Sequence, residues 1–108
     1  MKPQLAIRYF KAWAEKDIGT LDILMADDII LTDWEGQALG KEAVLKFNQT
    51  VFEKCKSINV DIEKIALGQD CVMAELGIII NGTTKIQVVD VLDYDQDDKI
   101  KRIRAYKR

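Results

Sequence analysis

The spacing of apolar residues changes along this chain of 108 residues. Up to about residue 53 they recur mostly three and four positions apart, which is typical of amphipathic helices. From Ser57 onward they alternate with polar residues, as in strands that bury one face. Helices followed by strands predict a single α+β domain over residues 1–108, in which helices cover one face of an antiparallel sheet and leave a pocket between the layers.

Three helices are predicted in the first half. The first starts near Pro3, which suits a first helical turn, and extends to about Lys16. Asp17 can cap a second, short helix. A strand over 29–34 and a loop then precede the third helix, which spans 41–53.

The second half predicts a strongly curved antiparallel meander. Apolar residues over 58–67 move from one face of the chain to the other, and a β-bulge produces such a change of phase. The Asn81-Gly82 pair is a hairpin signal between two further strands. Because bulges bend a sheet, we expect it to curve around the pocket.

Two carboxylates fall on apolar faces of the predicted strands. Asp90 lies on the same strand face as Val88 and Leu92, and Asp33 lies on the same face as Leu31. An ionised carboxylate among aliphatic side chains is costly unless it is paired or protonated. Both are therefore candidate functional groups, although Asp90 also fits a structural buried acid and Asp33 fits a turn carboxylate.

The sequence contains no histidine, so Ser-His-Asp and Cys-His nucleophilic sites and the common zinc sites are excluded. No phosphate-binding glycine motif is present, and we expect neither a cofactor nor a metal ion. The segment 93–104 begins like a calcium loop, yet Asp98 replaces its glycine and Arg104 its final glutamate. A solvated turn fits this segment better.

Charge and hydropathy also limit the partners. The basic segment 99–108 has strand spacing and belongs to a chain of net charge −2, which favours an exposed face or a dimer surface over nucleic acid. No apolar run approaches the roughly 18 residues of a membrane span. Cys55 and Cys71 have no metal-site spacing and fit free thiols. We therefore expect a cytoplasmic protein with no membrane partner.

Segments 8–47 and 88–106 contain "ADD" before the first strand, "GKEAV" at the third helix and a final hairpin "VDVLDYDQDDKIKRI". In this order they resemble the nuclear transport factor two-like superfamily, whose cone-shaped members include ketosteroid isomerases and SnoaL-like polyketide cyclases. The resemblance implies a homodimer formed through the sheet. It also implies that Tyr9 is an oxyanion tyrosine, Asp33 a general base and Asp90 a protonated oxyanion acid.

Phenol and carboxyl groups on inward faces suit proton abstraction next to a carbonyl group. We therefore expect isomerase or cyclase chemistry on a small apolar carbonyl compound. The remaining candidate pocket residues are aromatic or aliphatic: Trp13, Trp34, Phe47, Val88 and Leu92.

Two other functions remain open. One is a noncatalytic module of the same fold that binds a ligand or forms a dimer. The other is epoxide hydrolysis of the limonene-epoxide hydrolase type, which requires an arginine between two acids. Arg104 is the strand arginine that the sequence offers for this role.

Overall fold

A computed structural model describes residues 3–108, which form three helices and six strands. The helices are α1 (Pro3–Ala14), α2 (Ile18–Leu24) and α3 (Lys41–Lys54). The strands are β1 (Met25–Thr32), β2 (Gln37–Leu39), β3 (Ile58–Gly68), β4 (Cys71–Ile80), β5 (Thr84–Tyr94) and β6 (Ile100–Lys107). The α+β class and the packing of helices on a single sheet are confirmed.

The six strands form an open sheet in the order β2-β1-β6-β5-β4-β3. β3 through β6 make the predicted antiparallel meander. β1, however, pairs with β6 in parallel, so the prediction of a wholly antiparallel sheet is wrong at this pair. β2, which the sequence predicted as loop, pairs with β1 at the sheet edge. Alternation identifies the face of a strand but says nothing about the direction of its neighbour.

Local backbone features explain where several elements end. α1 ends two residues before the predicted limit, and Lys16 beyond it has a positive φ of 58°. The side chain of Asp17 then accepts a hydrogen bond from the Thr20 N–H and caps α2. β1 begins earlier than predicted and ends at Thr32, which places Asp33 in a turn.

Two predicted features of the meander are confirmed. The β3–β4 register shifts between Ile62 and Lys64, as the predicted bulge requires. Asn81 and Gly82 both have positive φ and connect β4 to β5. Asn81 Oδ1 also accepts the backbone N–H of Lys56 at 2.7 Å, which ties this turn to the start of β3.

The core lies between the helices and one face of the sheet. Buried residues of α1 and α3 face a buried row on β4 and β5, which alternates with more exposed residues. This face is called the inner face below, and the opposite face of the sheet is the outer face. In the part of the chain that the structure describes, no helix combines the length and apolar character of a bilayer span.

Candidate functional site

A cavity of about 370 Å³ separates the helices from the inner face of the sheet. Tyr9, Asp33 and Asp90 all contribute to its lining. Most of the remaining wall is apolar and includes Phe10, Leu31, Leu76, Ile78, Ile86 and Ile103. A mostly apolar enclosure with a few converging polar groups is the usual form of a small-molecule site.

The structure places four of the five predicted wall residues in this lining: Trp13, Trp34, Phe47 and Val88. Leu92 is not among the cavity-lining residues. It lies opposite Val72 on β4 and Ile103 on β6, and its side chain is fully buried in the core. Strand alternation placed Leu92 on the correct face, but the depth of the cavity along β5 depends on how the helices pack.

Asp90 occupies the centre of β5, between Ala74 on β4 and Ala105 on β6. Two small neighbours leave space around the carboxyl group, which lines the cavity. Burial, followed by the charge of Asp33, raises the pKa of Asp90 to about 7. This carboxyl group therefore holds a proton over a much wider pH range than an ordinary aspartate.

Tyr9 is buried on α1 and packs edge-to-face against Phe10, with 5.4 Å between ring centroids. Burial raises its pKa well above the ordinary value, and the neighbouring Asp90 and Tyr94 raise it further. The phenol therefore remains a hydrogen-bond donor at neutral pH. Among the described residues, neither this hydroxyl nor the Asp90 carboxyl has a hydrogen-bond partner, and both residues line the cavity.

Asp33 has a structural role as well as a place in the cavity wall. Its Oδ1 accepts the backbone N–H groups of Glu35 at 2.8 Å and Gly36 at 3.1 Å. Its own N–H donates to the Gly36 carbonyl at 2.9 Å, which completes a tight turn. The turn interpretation of Asp33 is therefore correct, and both of these side-chain hydrogen bonds use Oδ1.

Sequence reasoning missed Asn48 as a polar group of the site. Asn48 lies four residues from both Val44 and Phe52, so it belongs to the buried stripe of α3 and lines the cavity. Trp13 Nε1 donates a hydrogen bond to Asn48 Oδ1 at 3.3 Å. The Asn48 Nδ2 group is buried and has no hydrogen-bond partner among residues 3–108. The four-residue spacing of Val44, Asn48 and Phe52 was the sequence signal that could have placed Asn48 on the buried face of α3.

Charged and aromatic residues surround the cavity where it meets solvent. Trp34 is 46% exposed, and Lys107 Nζ lies 5.8 Å from the centroid of its ring. This cation–π contact joins the β1–β2 turn to the end of β6. Lys54 from α3 and Glu35 from the same turn also line the cavity.

Arg104 belongs to the outer face of the sheet. Its Nη2 donates to Asp93 Oδ2 at 3.0 Å, and both residues point away from the row that contains Asp90. Arg104 lines an outer groove of about 570 Å³, and it is not among the residues around the inner cavity. The groove and the cavity meet at four residues that line both: Asp33, Trp34, Ala105 and Lys107. The sequence-based suggestion that Arg104 lies between two cavity acids is therefore wrong.

Three helices packed on one face of an open, mixed six-stranded sheet, with a cavity between α1, α3 and that face, define the class of this α+β fold. The family model for the SnoaL-like domain matches residues 6–103. The chain belongs to the SnoaL-like domain family, as its resemblance to nuclear transport factor two-like proteins implied.

Solved structures share this fold at low sequence identity. A candidate ketosteroid isomerase from Kribbella flavida is 17% identical, with a TM-score of 0.85 over 97% of this chain and 76% of that chain. A candidate polyketide cyclase from Sinorhizobium meliloti is 15% identical, with a TM-score of 0.85 over 96% of this chain and 94% of that chain.

An epoxide hydrolase of M. tuberculosis, similar to limonene-epoxide hydrolase, is 21% identical, with a TM-score of 0.79 over 97% of this chain and 80% of that chain. No curated protein matches the sequence. These similarities establish the fold alone, because one fold supports many different functions.

Proposed function

We propose that this protein catalyses cofactor-independent proton transfer on a small apolar carbonyl compound, as an isomerase or a cyclase. The observation that carries the proposal is the Asp90 carboxyl group, which has a pKa of about 7, lines an apolar cavity and has no hydrogen-bond partner among the residues that the structure describes. A second carboxylate, Asp33, and a buried phenol, Tyr9, line the same cavity. Perturbed acids in an enclosed site favour acid-base chemistry.

In the proposed reaction, Asp33 Oδ2 removes a proton from the carbon next to the substrate carbonyl. The electrons of that C–H bond form a carbon–carbon double bond, and the carbonyl oxygen becomes an enolate. Tyr9 and neutral Asp90 donate hydrogen bonds to this oxygen, where negative charge develops. An isomerase returns the proton from Asp33 to the γ-carbon. In a cyclase the enolate carbon attacks a second carbonyl carbon, the π electrons of that carbonyl move to its oxygen, and this oxygen takes the proton from Asp33.

The alternative is a noncatalytic module of the same fold that binds an apolar molecule or supports a dimer. The turn formed by Asp33 favours this alternative, because hydrogen bonds to Glu35 and Gly36 explain the residue without catalysis. Epoxide hydrolysis has less support, since Arg104 pairs with Asp93 outside the cavity.

The test is isomerisation of a β,γ-unsaturated ketone, followed by the absorbance of the conjugated product. We expect Asp33→Asn to lower kcat at least about 100-fold, because it removes the base while the amide oxygen can still accept the turn hydrogen bonds. Tyr9→Phe should lower kcat by about 100-fold or more through loss of one oxyanion donor.

Asp61→Asn is the matched control, because Asp61 is an exposed aspartate of β3 outside the cavity lining. It should retain wild-type turnover. Ligand binding by the wild-type protein without turnover of any β,γ-unsaturated ketone would contradict the catalytic proposal and support the binding module. The proposal assigns the protein to the cytoplasm, where the free thiols of Cys55 and Cys71 remain reduced.

A further inference from the structure

The Asn48 side chain contains an unused hydrogen-bond donor at the cavity wall. Asn48 is only 4% exposed, and its Nδ2 has no hydrogen-bond partner in the described part of the chain. An unpaired buried donor carries an uncompensated desolvation penalty. Buried polar groups in proteins are nearly always paired, so this donor requires an explanation.

The contact with Trp13 fixes the orientation of the Asn48 amide. An indole Nε1–H can only donate, so the amide atom facing it must be the oxygen. The nitrogen is therefore the unpartnered atom. The Asn48 side chain is part of the cavity lining, and the Trp13 contact uses its oxygen and leaves the Nδ2 hydrogens uncommitted.

We propose that Asn48 Nδ2 donates a hydrogen bond to a second oxygen atom of the ligand, separate from the reacting carbonyl. Asn48 projects from the helical layer, whereas Asp90 projects from the sheet on the other side of the cavity. The walls around them are largely apolar. The substrate class is therefore an apolar ketone with a remote carbonyl or hydroxyl group, an assignment that rests on the proposed function.

Two bicyclic conjugated ketones test this assignment by binding alone, measured by calorimetry. One has a single carbonyl group, and the other has an additional carbonyl on the distant ring. We expect the diketone to bind wild-type protein about 3- to 10-fold more tightly, as one added hydrogen bond predicts. Asn48→Leu replaces the amide with an apolar side chain of similar size and should abolish this difference in affinity. Asn59→Leu is the control, because Asn59 is an exposed residue of β3, and this variant should retain the difference.

A second measurement uses the wild-type protein and so does not depend on the folding of a variant. The side-chain amide signal of Asn48 in ¹H–¹⁵N spectra should shift with the diketone and much less with the monoketone. Equal affinities of the two ketones, with no selective shift, would overturn the role of Asn48 and leave the proposed function intact. Binding of neither ketone would overturn both.

Discussion

At the scale of single residues, Asp90 makes the stability of the protein depend on pH. The pKa of an ordinary aspartate is 3.8, and burial raises that of Asp90 to about 7 in the folded state. Between these values the folded state binds a proton that the unfolded state has released. The contribution of Asp90 to the free energy of unfolding therefore decreases as pH rises from about 4 to about 7 and is constant above that range.

We expect this decrease to reach at most on the order of 4 kcal/mol, and we expect Asp90→Asn to remove it because an amide does not titrate. Urea unfolding of both proteins at several pH values measures the difference. Parallel stability curves would contradict a raised Asp90 pKa. In the isomerisation assay, the same ionisation should appear as loss of kcat/KM above about pH 7 in wild type.

At the scale of elements, the β4–β5 turn holds the meander to the end of α3. Asn81 has a φ of 55° and its Oδ1 accepts the N–H groups of Lys56 at 2.7 Å and Ser57 at 3.3 Å. We expect Asn81→Ala to destabilise the protein by about 1–3 kcal/mol, since it removes these bonds and places alanine in the left-handed region.

Thr83→Ala provides the control for this prediction. Thr83 is exposed in the same turn, and the hydrogen bond that it makes to Ile80 uses its backbone N–H. Its replacement should change the free energy of unfolding by less than about 0.5 kcal/mol. Chemical denaturation compares the two variants, and equal stabilities would show that the Asn81 side chain does not support the turn.

At the scale of the whole molecule, the outer face of the sheet exposes apolar side chains. Met73 is 41% exposed, Val89 36% and Tyr106 53%, and Val89 lies directly opposite Tyr106 in the β5–β6 register. Glu75 flanks Val89 on β4, and the Arg104–Asp93 ion pair lies on the same face. An apolar patch with charged neighbours is typical of a protein interface, and we propose that a second copy of the chain covers it.

Solution mass by light scattering tests this homodimer. Tyr106→Glu should convert the dimer to a monomer, because it places a charge within the proposed interface. Ile7→Glu is the control, since Ile7 is 45% exposed but lies on α1 in the helical layer. A wild-type protein that stays monomeric over a wide concentration range would refute the proposal.

The sequence by itself determined the type of each major element and the face on which its side chains lie. The 3.6-residue period identified α1 and α3, and the two-residue period put Asp90 on the inner face of β5. The shift of apolar residues from one strand face to the other over 58–67 identified the bulge in β3. These properties depend on residues close together in the chain, so the pattern of side chains specifies them directly.

Only the tertiary structure decided which groups meet and how deep the cavity is. The parallel pairing of β1 with β6 brings Asp33 to the cavity that Asp90 lines, whereas the packing of α3 leaves Asn48 Nδ2 without a partner. Leu92 shares the face of Asp90 but lies in the core. Periodicity specifies the face of an element, but its neighbours and their depth of contact depend on contacts between residues distant in sequence.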